Sequence, residues 1–576
     1  MQQTQTQMDY FNQRLPFVII GMIIFSGVLL LQMISFQQLA PEVAAELRPD
    51  YDRTISLASA RGTIYDHTGQ RLAVNTLEYR IGISPNLVSN RARVATQLAS
   101  ILNLDELTVY EAVNSDQSWV LLAPRVNAEI GQQVELLDLS ALTIDKIPRR
   151  SYPQGTLAAQ ILGFVSGDLQ GYYGVEGKFQ DQLAGRPRRE VISNIPFDLP
   201  PEQEADRGSD IYLTLDRDIQ YLIESELALS VAETNAVGGT IIVMNPRTGD
   251  ILGMTSWPSF DPNAYLDVQN AADWSNPAIS AQFEPGSIMK VITVASALDA
   301  GIISREWTYT DQGRIEIGGR VVENWDRLAH GVVDTTSVLV NSYNVGAATI
   351  SLSMGPNTFY TYLSKFGFGR LTGVNLQGEA GGTVFIPGDA NWSESNLGTN
   401  SFGQGMAVTP LQLITAVSAI ANDGLMMQPN IVSKIVTNGQ VVPSKPIALG
   451  RPISEATAHL VRDMMVAVVR DGLDEDASLP GYTVAGKTGT AEIPTPVSYR
   501  SDAWIMSFIG FLPADDPQVI VLIKLDEPRT GRWASQVVAP IFRRLAERLV
   551  VLMEIPRDDV RLALETQGGA VDAVQR

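Results

Sequence analysis

Apolar positions fall into distinct regimes along the chain. Residues 15–36, LPFVIIGMIIFSGVLLLQMISF, form one uncharged run. A bilayer is crossed by about 20 helical residues, so this run is long enough to span. It also exceeds the roughly 7–15-residue core of a cleaved leader, and the next small residue, Ala40, is followed by Pro41. The pattern predicts an uncleaved transmembrane anchor. Arg14 precedes it, whereas Arg48 follows among Glu42, Glu46 and Asp50. The positive-inside rule then puts residues 1–14 in the cytoplasm and everything from residue 37 outside the cytoplasmic membrane, as a single-pass protein.

From 37 to 205 the apolar positions come in short stretches broken by turn signals. RGTIYDHTGQRLAVN, residues 61–75, reads as strand, turn, strand around His67-Thr68-Gly69. DLPPEQEADRGSD, residues 198–210, is poor in apolar residues and marks a boundary. After it Leu215, Ile219, Leu222, Ile223 and Leu227 recur at helical spacing, with Asp216 as the N-cap. GTIIVMNPRTGDILGMTS predicts two strands joined at residues 245–249. Helical patterns fill 285–425. YTVAGKTG, AWIMSFIGFLP and VIVLIKLDE predict late strands, and an amphipathic helix closes the pattern over 534–553. The order predicts an α+β domain over 206–555, then a flexible polar tail over 556–576.

Composition narrows the chemistry. The formal charge of −21 argues against nucleic acid, whose phosphates need clustered Lys and Arg. There is no cysteine, which excludes disulfides, thiolate nucleophiles and cysteine metal sites. The three histidines, His67, His330 and His459, are far apart and in no HExxH pattern, so neither a metal nor a cofactor is expected.

One of only eight lysines, Lys290, sits inside EPGSIMKVITVASALDAG, residues 284–301. Pro285-Gly286 can start a helix and Gly301 can end it. Residues three apart share a helix face, so Ser287 and Lys290 can meet. The helix is apolar on nearly every side, so the amine is desolvated, loses affinity for its proton and can accept that of the serine. At a helix N-terminus, developing negative charge is favoured. The plainer alternative is a serine cap with a lysine reaching solvent. None of the other seven lysines has a serine three residues before it.

Two further pieces follow. NSYNVGAATISLSMG contains Ser342 and Asn344, a weak pattern that Ser84-Pro85-Asn86 also matches. GYTVAGKTGTAE, residues 481–492, matches the phosphate-loop formula, but YTVA is strand-like and the residues after it carry two prolines and no helical period. On a strand edge, Gly489 would let a ligand approach the backbone. Lys487 and the Thr488 hydroxyl would bind a carboxylate, and the Thr490 amide would join that of Ser287 as an oxyanion hole.

Ser-x-x-Lys, Ser-x-Asn and Lys-Thr-Gly in this order resemble the signature of the penicillin-recognising serine transferases and β-lactamases. RGTIYDHTGQRLA, RRSYPQGTLAAQILGFVS and GYYGVEGKFQDQLAG look like the pedestal, or dimerisation domain, of class B penicillin-binding proteins; SFGQGMAVTPLQL is similar to a further block of their catalytic domain. SYNVGAATIS and GMAVTPLQL look closer to the division-specific FtsI-like branch than to the elongation branch. His67 stands where the pedestal usually has Arg. The resemblance implies a transpeptidase domain with a five-stranded antiparallel sheet flanked by helices, behind a pedestal over 37–205.

It also implies the chemistry of a peptidoglycan D,D-transpeptidase. Ser287 is the nucleophile, Lys290 its base, Ser342 the proton relay helped by Lys487, and Asn344 the positioner of the peptide amide. Thr488, Gly489 and Thr490 bind substrate. The implied partners are stem peptides ending in D-Ala-D-Ala, an amine acceptor, β-lactams, a polytopic glycan polymerase and division proteins. A β-lactamase is disfavoured because Glu-x-x-Leu-Asn is absent, ESNLG being a near miss. A β-lactam sensor without turnover remains the third class.

Overall fold

The computed structural model describes residues 16, 19–35, 52–57, 59–186, 188–193, 207–495 and 498–564. They divide into two compact units. One unit holds the described residues up to Ser59 and Arg186–Ser193. Within it, residues 19–35 are helical and Asp52–Leu57 pairs antiparallel with Arg188–Ser193. Among the described residues no helix is long and apolar enough to cross a membrane. Leu15, Phe17, Val18 and Phe36 of the expected span lie outside the described residues.

The other unit holds Ala60–Gly185 and the described residues from Arg207 onward. At its centre is a five-stranded sheet of β1 (Gly238–Met244), β2 (Ile251–Trp257), β3 (Ala485–Pro494), β4 (Tyr499–Leu512) and β5 (Val519–Asp526). Its order is β2-β1-β5-β4-β3, antiparallel at every pair. The strands read as continuous apolar runs because helices cover both faces. Ile242, Met244, Ile509 and Leu522 face one core with α2 (Met289–Asp299), α4 (Pro410–Ala421) and α5 (Glu455–Asp471). Their neighbours Ile241, Val243, Phe508 and Ile523 face a second core with α1 (Arg217–Thr234) and α6 (Ala534–Leu552). The period of two in a strand sends alternate residues into the two layers.

The sequence pattern locates these elements closely. Asp216 caps α1, accepting from the amides of Asp218 and Ile219. β3 starts at Ala485, later than expected, and runs on to Pro494 before turning back into β4. A strand therefore follows Gly486-Lys487-Thr488 where a phosphate loop would open a helix. α3 (Asn344–Lys365) is broken at Gly355, φ 69°, and Pro356.

The expected boundary near 206 is bridged within this unit. Ile64–Tyr65 pairs in parallel with Asp210–Leu213, inside a mixed seven-stranded sheet that also takes Arg71–Ile83 and Val432–Thr437. Ile64 and Leu72 share a core with Ile211 and Met254. The described start of the tail is ordered: residues 558–564 are helical, and Arg561 pairs with Asp515 at 2.6 Å. Residues from 565 lie outside the described residues.

Three of the pedestal segments meet at one buried carboxylate. Glu176, from GYYGVEG, accepts from Arg61 Nε at 2.7 Å and from Arg150 Nε at 2.6 Å. Arg150 also donates to the Gly62 carbonyl at 2.7 Å. Glu176 is fully buried. Removing it strands two guanidiniums without a counter-charge, so Glu176→Gln is expected to cost about 3–5 kcal/mol. A lower urea midpoint with unchanged slope checks this.

Candidate active site

A glycine turn and a glycine in the edge strand bring the motif residues together. Gly286 adopts φ 59° and opens a 3-10 turn, Gly286–Ile288, that runs into α2. Ser287 stands on this turn, at the N-terminus of the helix, and Gly301, φ 66°, follows its end. β3, the edge strand of the sheet, passes against the same turn. A Cβ on Gly489 would lie 2.6 Å from Ser507 Oγ and 2.9 Å from the Pro285 carbonyl. Gly489 thus admits the serine turn, rather than a ligand, to the strand backbone.

Lys290 is fully buried. Its Nζ lies 3.1 Å from Ser287 Oγ, 3.0 Å from Ser342 Oγ and 2.6 Å from the Ser342 carbonyl. Desolvation, with the field of Lys487 second, pushes its pKa well below the ordinary lysine value. A neutral amine has two N–H donors. Spent on Ser342, they leave the lone pair for the Ser287 hydroxyl. Ser342 reaches this position in the left-handed region, φ 57°, a strained conformation for a serine.

Lys487 is also buried, on β3 opposite Ile509. Desolvation lowers its pKa, and Asp474, 3.9 Å away, opposes that shift. Asp474 also accepts from the Thr488 amide at 2.8 Å and from the Thr488 hydroxyl at 2.7 Å. That hydroxyl donates to Asp474, and Thr488 also lines the same cleft as Ser287. Along a strand, amides two apart point to the same edge, so the Thr490 amide leaves β3 on the unpaired side, as that of Thr488 does. Asn344 begins α3, and its Nδ2 donates to the Glu323 carbonyl at 3.0 Å.

Ser287, Ser342, Asn344, Thr488 and Thr490 line one cleft of about 650 Å³. Trp325 and Trp533 frame it edge to face, 5.4 Å between ring centroids, with Arg532 and Glu492 among the other lining residues. A smaller cavity of about 420 Å³ between α1 and α6, lined by Tyr221 and Val551, holds none of the motif residues.

Sequence reasoning did not find Asp474 or Glu284. Glu284 is buried beside the serine turn, accepting from the Gly405 amide at 2.9 Å and the Tyr499 hydroxyl at 3.1 Å. Burial pushes its carboxyl up to about 7. Its adjacency to Pro285-Gly286 was the only sequence signal. Asp474 lies in LDEDASLPG, which reads as a solvated acidic loop.

Comparisons with known proteins agree with this fold. Residues 239–547 match the model of the penicillin binding protein transpeptidase domain, and residues 56–194 that of the penicillin-binding protein dimerisation domain. The chain is 33% identical over 550 residues to stage V sporulation protein D of Bacillus subtilis, covering 92% of this chain and 84% of that protein. It is 29% identical to the peptidoglycan D,D-transpeptidase FtsI of Escherichia coli, covering 88% and 86%. The crystal structure of penicillin binding protein 3 from Mycobacterium tuberculosis, complexed with aztreonam, superposes with a TM-score of 0.69 at 29% identity, covering 87% of this chain and 98% of that one.

A serine–lysine pair beside the edge of a helix-flanked sheet is the site of a penicillin-binding transpeptidase domain. With a dimerisation domain before it, the chain belongs to the class B penicillin-binding protein family.

Gly489→Ala overpacks the contact between β3 and the serine turn. It is expected to cost about 1–3 kcal/mol, read as a lower thermal unfolding midpoint than wild type.

Proposed function

We propose that the protein is a serine peptidoglycan D,D-transpeptidase, anchored in the cytoplasmic membrane by residues 15–36 with its catalytic domain outside. The reading is carried by one observation: a fully buried amine, paired with no carboxylate among the described residues, 3.1 Å from Ser287 Oγ.

In this reading Ser287 Oγ attacks the carbonyl carbon between the last two D-Ala residues of a stem peptide, and its proton passes to Lys290. The oxyanion is held by the amides of Ser287 and Thr490. Asn344 holds the peptide amide. Collapse breaks the C–N bond, and the departing D-Ala amine takes the proton through Ser342, with Lys487 supplying positive charge. An amine of a second stem then attacks the acyl-enzyme. It loses its proton to the same relay and forms the cross-link, and Ser287 recovers its hydrogen. β-Lactams acylate Ser287 in the same way, as expected for relatives crystallised with aztreonam and ampicillin.

The division branch is the preferred role, in septal wall synthesis beside a polytopic glycan polymerase. The FtsI relatives support it, whereas another relative is named a stage V sporulation protein. A tagged copy is expected at midcell; a sidewall pattern would favour the elongation branch.

Incubation of the full-length protein in detergent with fluorescent penicillin is expected to label wild type at Ser287 and to leave Ser287→Ala unlabelled. A label on any other residue removes the reading. Lys290→Arg keeps a permanent charge where a base is needed. Its acylation rate is expected to fall by at least about 10²-fold, the lower end of general-base contributions. Turnover of a thioester substrate separates the enzyme from a β-lactam sensor.

A further inference from the structure

Two lysines are buried in this site and one buried carboxylate serves them. Lys290, Lys487 and Asp474 are each almost wholly inaccessible. The carboxylate stands 3.9 Å from Lys487 Nζ. Lys290 instead faces the two serines, and the field that reaches it is that of Lys487. Two ammonium groups and one carboxylate would leave an uncompensated charge in a dry site.

Among the described residues no second carboxylate pairs with either amine. Glu284, buried beside the serine turn, accepts from the Gly405 amide and the Tyr499 hydroxyl, and burial pushes its carboxyl up to about 7. Lys524, buried on β5, pairs with Asp526. β4 offers Ile509 opposite Lys487. On α5, Arg470 and Asp471 pair with each other in solvent. Glu475 and Asp476, beside Asp474, are exposed. On α2, Asp299 accepts from the Ser454 amide and the Tyr362 hydroxyl. Glu492, Arg327 and Arg532 line the solvent-filled cleft.

We propose that Asp474 is a positioning residue of this site: it holds Lys487 in its charged form, so that Lys290 is the lysine left neutral, and it ties the Thr488 amide and hydroxyl to the same buried carboxylate. The inference rests on the transpeptidase reading of Ser287 and Lys290 and adds to it the residue that divides one proton between two amines. The direction of the two lysine shifts agrees: burial lowers both, and Asp474 opposes the fall at Lys487 alone. The 2.8 and 2.7 Å bonds to Thr488 tie the same carboxylate to the edge of β3. A change at Asp474 therefore reaches the amine and the strand together.

The test is the rate of acylation of the full-length protein by fluorescent penicillin, followed from neutral to alkaline pH. Wild type rises as Lys290 sheds its proton and falls as Lys487 sheds its own. Asp474→Asn removes the counter-charge at nearly constant shape, and the falling limb is expected to move toward neutral by about one pH unit, tenfold in that ionisation constant. A uniform drop with both limbs in place marks a purely structural role and overturns the proposal. Should Asp474→Asn not fold, Lys487→Arg decides: its permanent charge must abolish the falling limb, and a limb that persists overturns the proposal. Wild type that is not labelled at Ser287 would instead sink the transpeptidase reading.

Discussion

The site depends on keeping water away from one amine. Lys290 lies in a helix with both sheet and helices against it, and every residue from Met289 to Ala297 is buried. In water the amine would hold its proton and be useless toward an alcohol. Inside, no carboxylate among the described residues replaces the missing hydration, and the balance shifts toward the neutral form. The serine turn, the strained Ser342 and the edge strand serve to hold two hydroxyls against that amine. The left-handed backbone at Ser342 follows from this, because it lets both the carbonyl and the hydroxyl of one residue reach the same nitrogen.

The sheet supplies the rigidity. Its central strands are buried on both faces, and β3 is held to them by its pairing with β4 although its other edge is unpaired. That edge is where Asp474 and the serine turn meet it. Gly489 sets how near the turn can come, and a single methyl group there would collide with the backbone of Pro285. Geometry near 3 Å at Ser287 is thus inherited from the packing of a strand rather than from the helix alone.

What could be read in the sequence divides by range of interaction. The Ser287–Lys290 contact is local, set by helical spacing, and needed no partner to predict. The central strands were legible because burial on both faces makes them continuous apolar runs. Ser342 and Lys487 are distant in sequence, and only resemblance tied them to Ser287. Asp474 was hidden because charge runs in loops ordinarily face water; its burial is a tertiary event. The same holds for the Arg61–Glu176–Arg150 bridge, whose members sit in segments that look unremarkable apart. The parallel pairing of Ile64–Tyr65 with Asp210–Leu213 has no local signal, so the boundary looked cleaner than it is.

The dry pocket around Lys290 carries a consequence for folding itself. In the unfolded chain this side chain is hydrated and protonated at neutral pH; in the native state its proton affinity is depressed. Between the depressed value and the ordinary one, the chain must therefore expel a hydrogen ion as it folds. Linkage gives the sign: where the unfolded state binds more protons, native stability grows with pH. Acidification therefore gradually weakens the fold through the same amine that lies 3.1 Å from Ser287 Oγ.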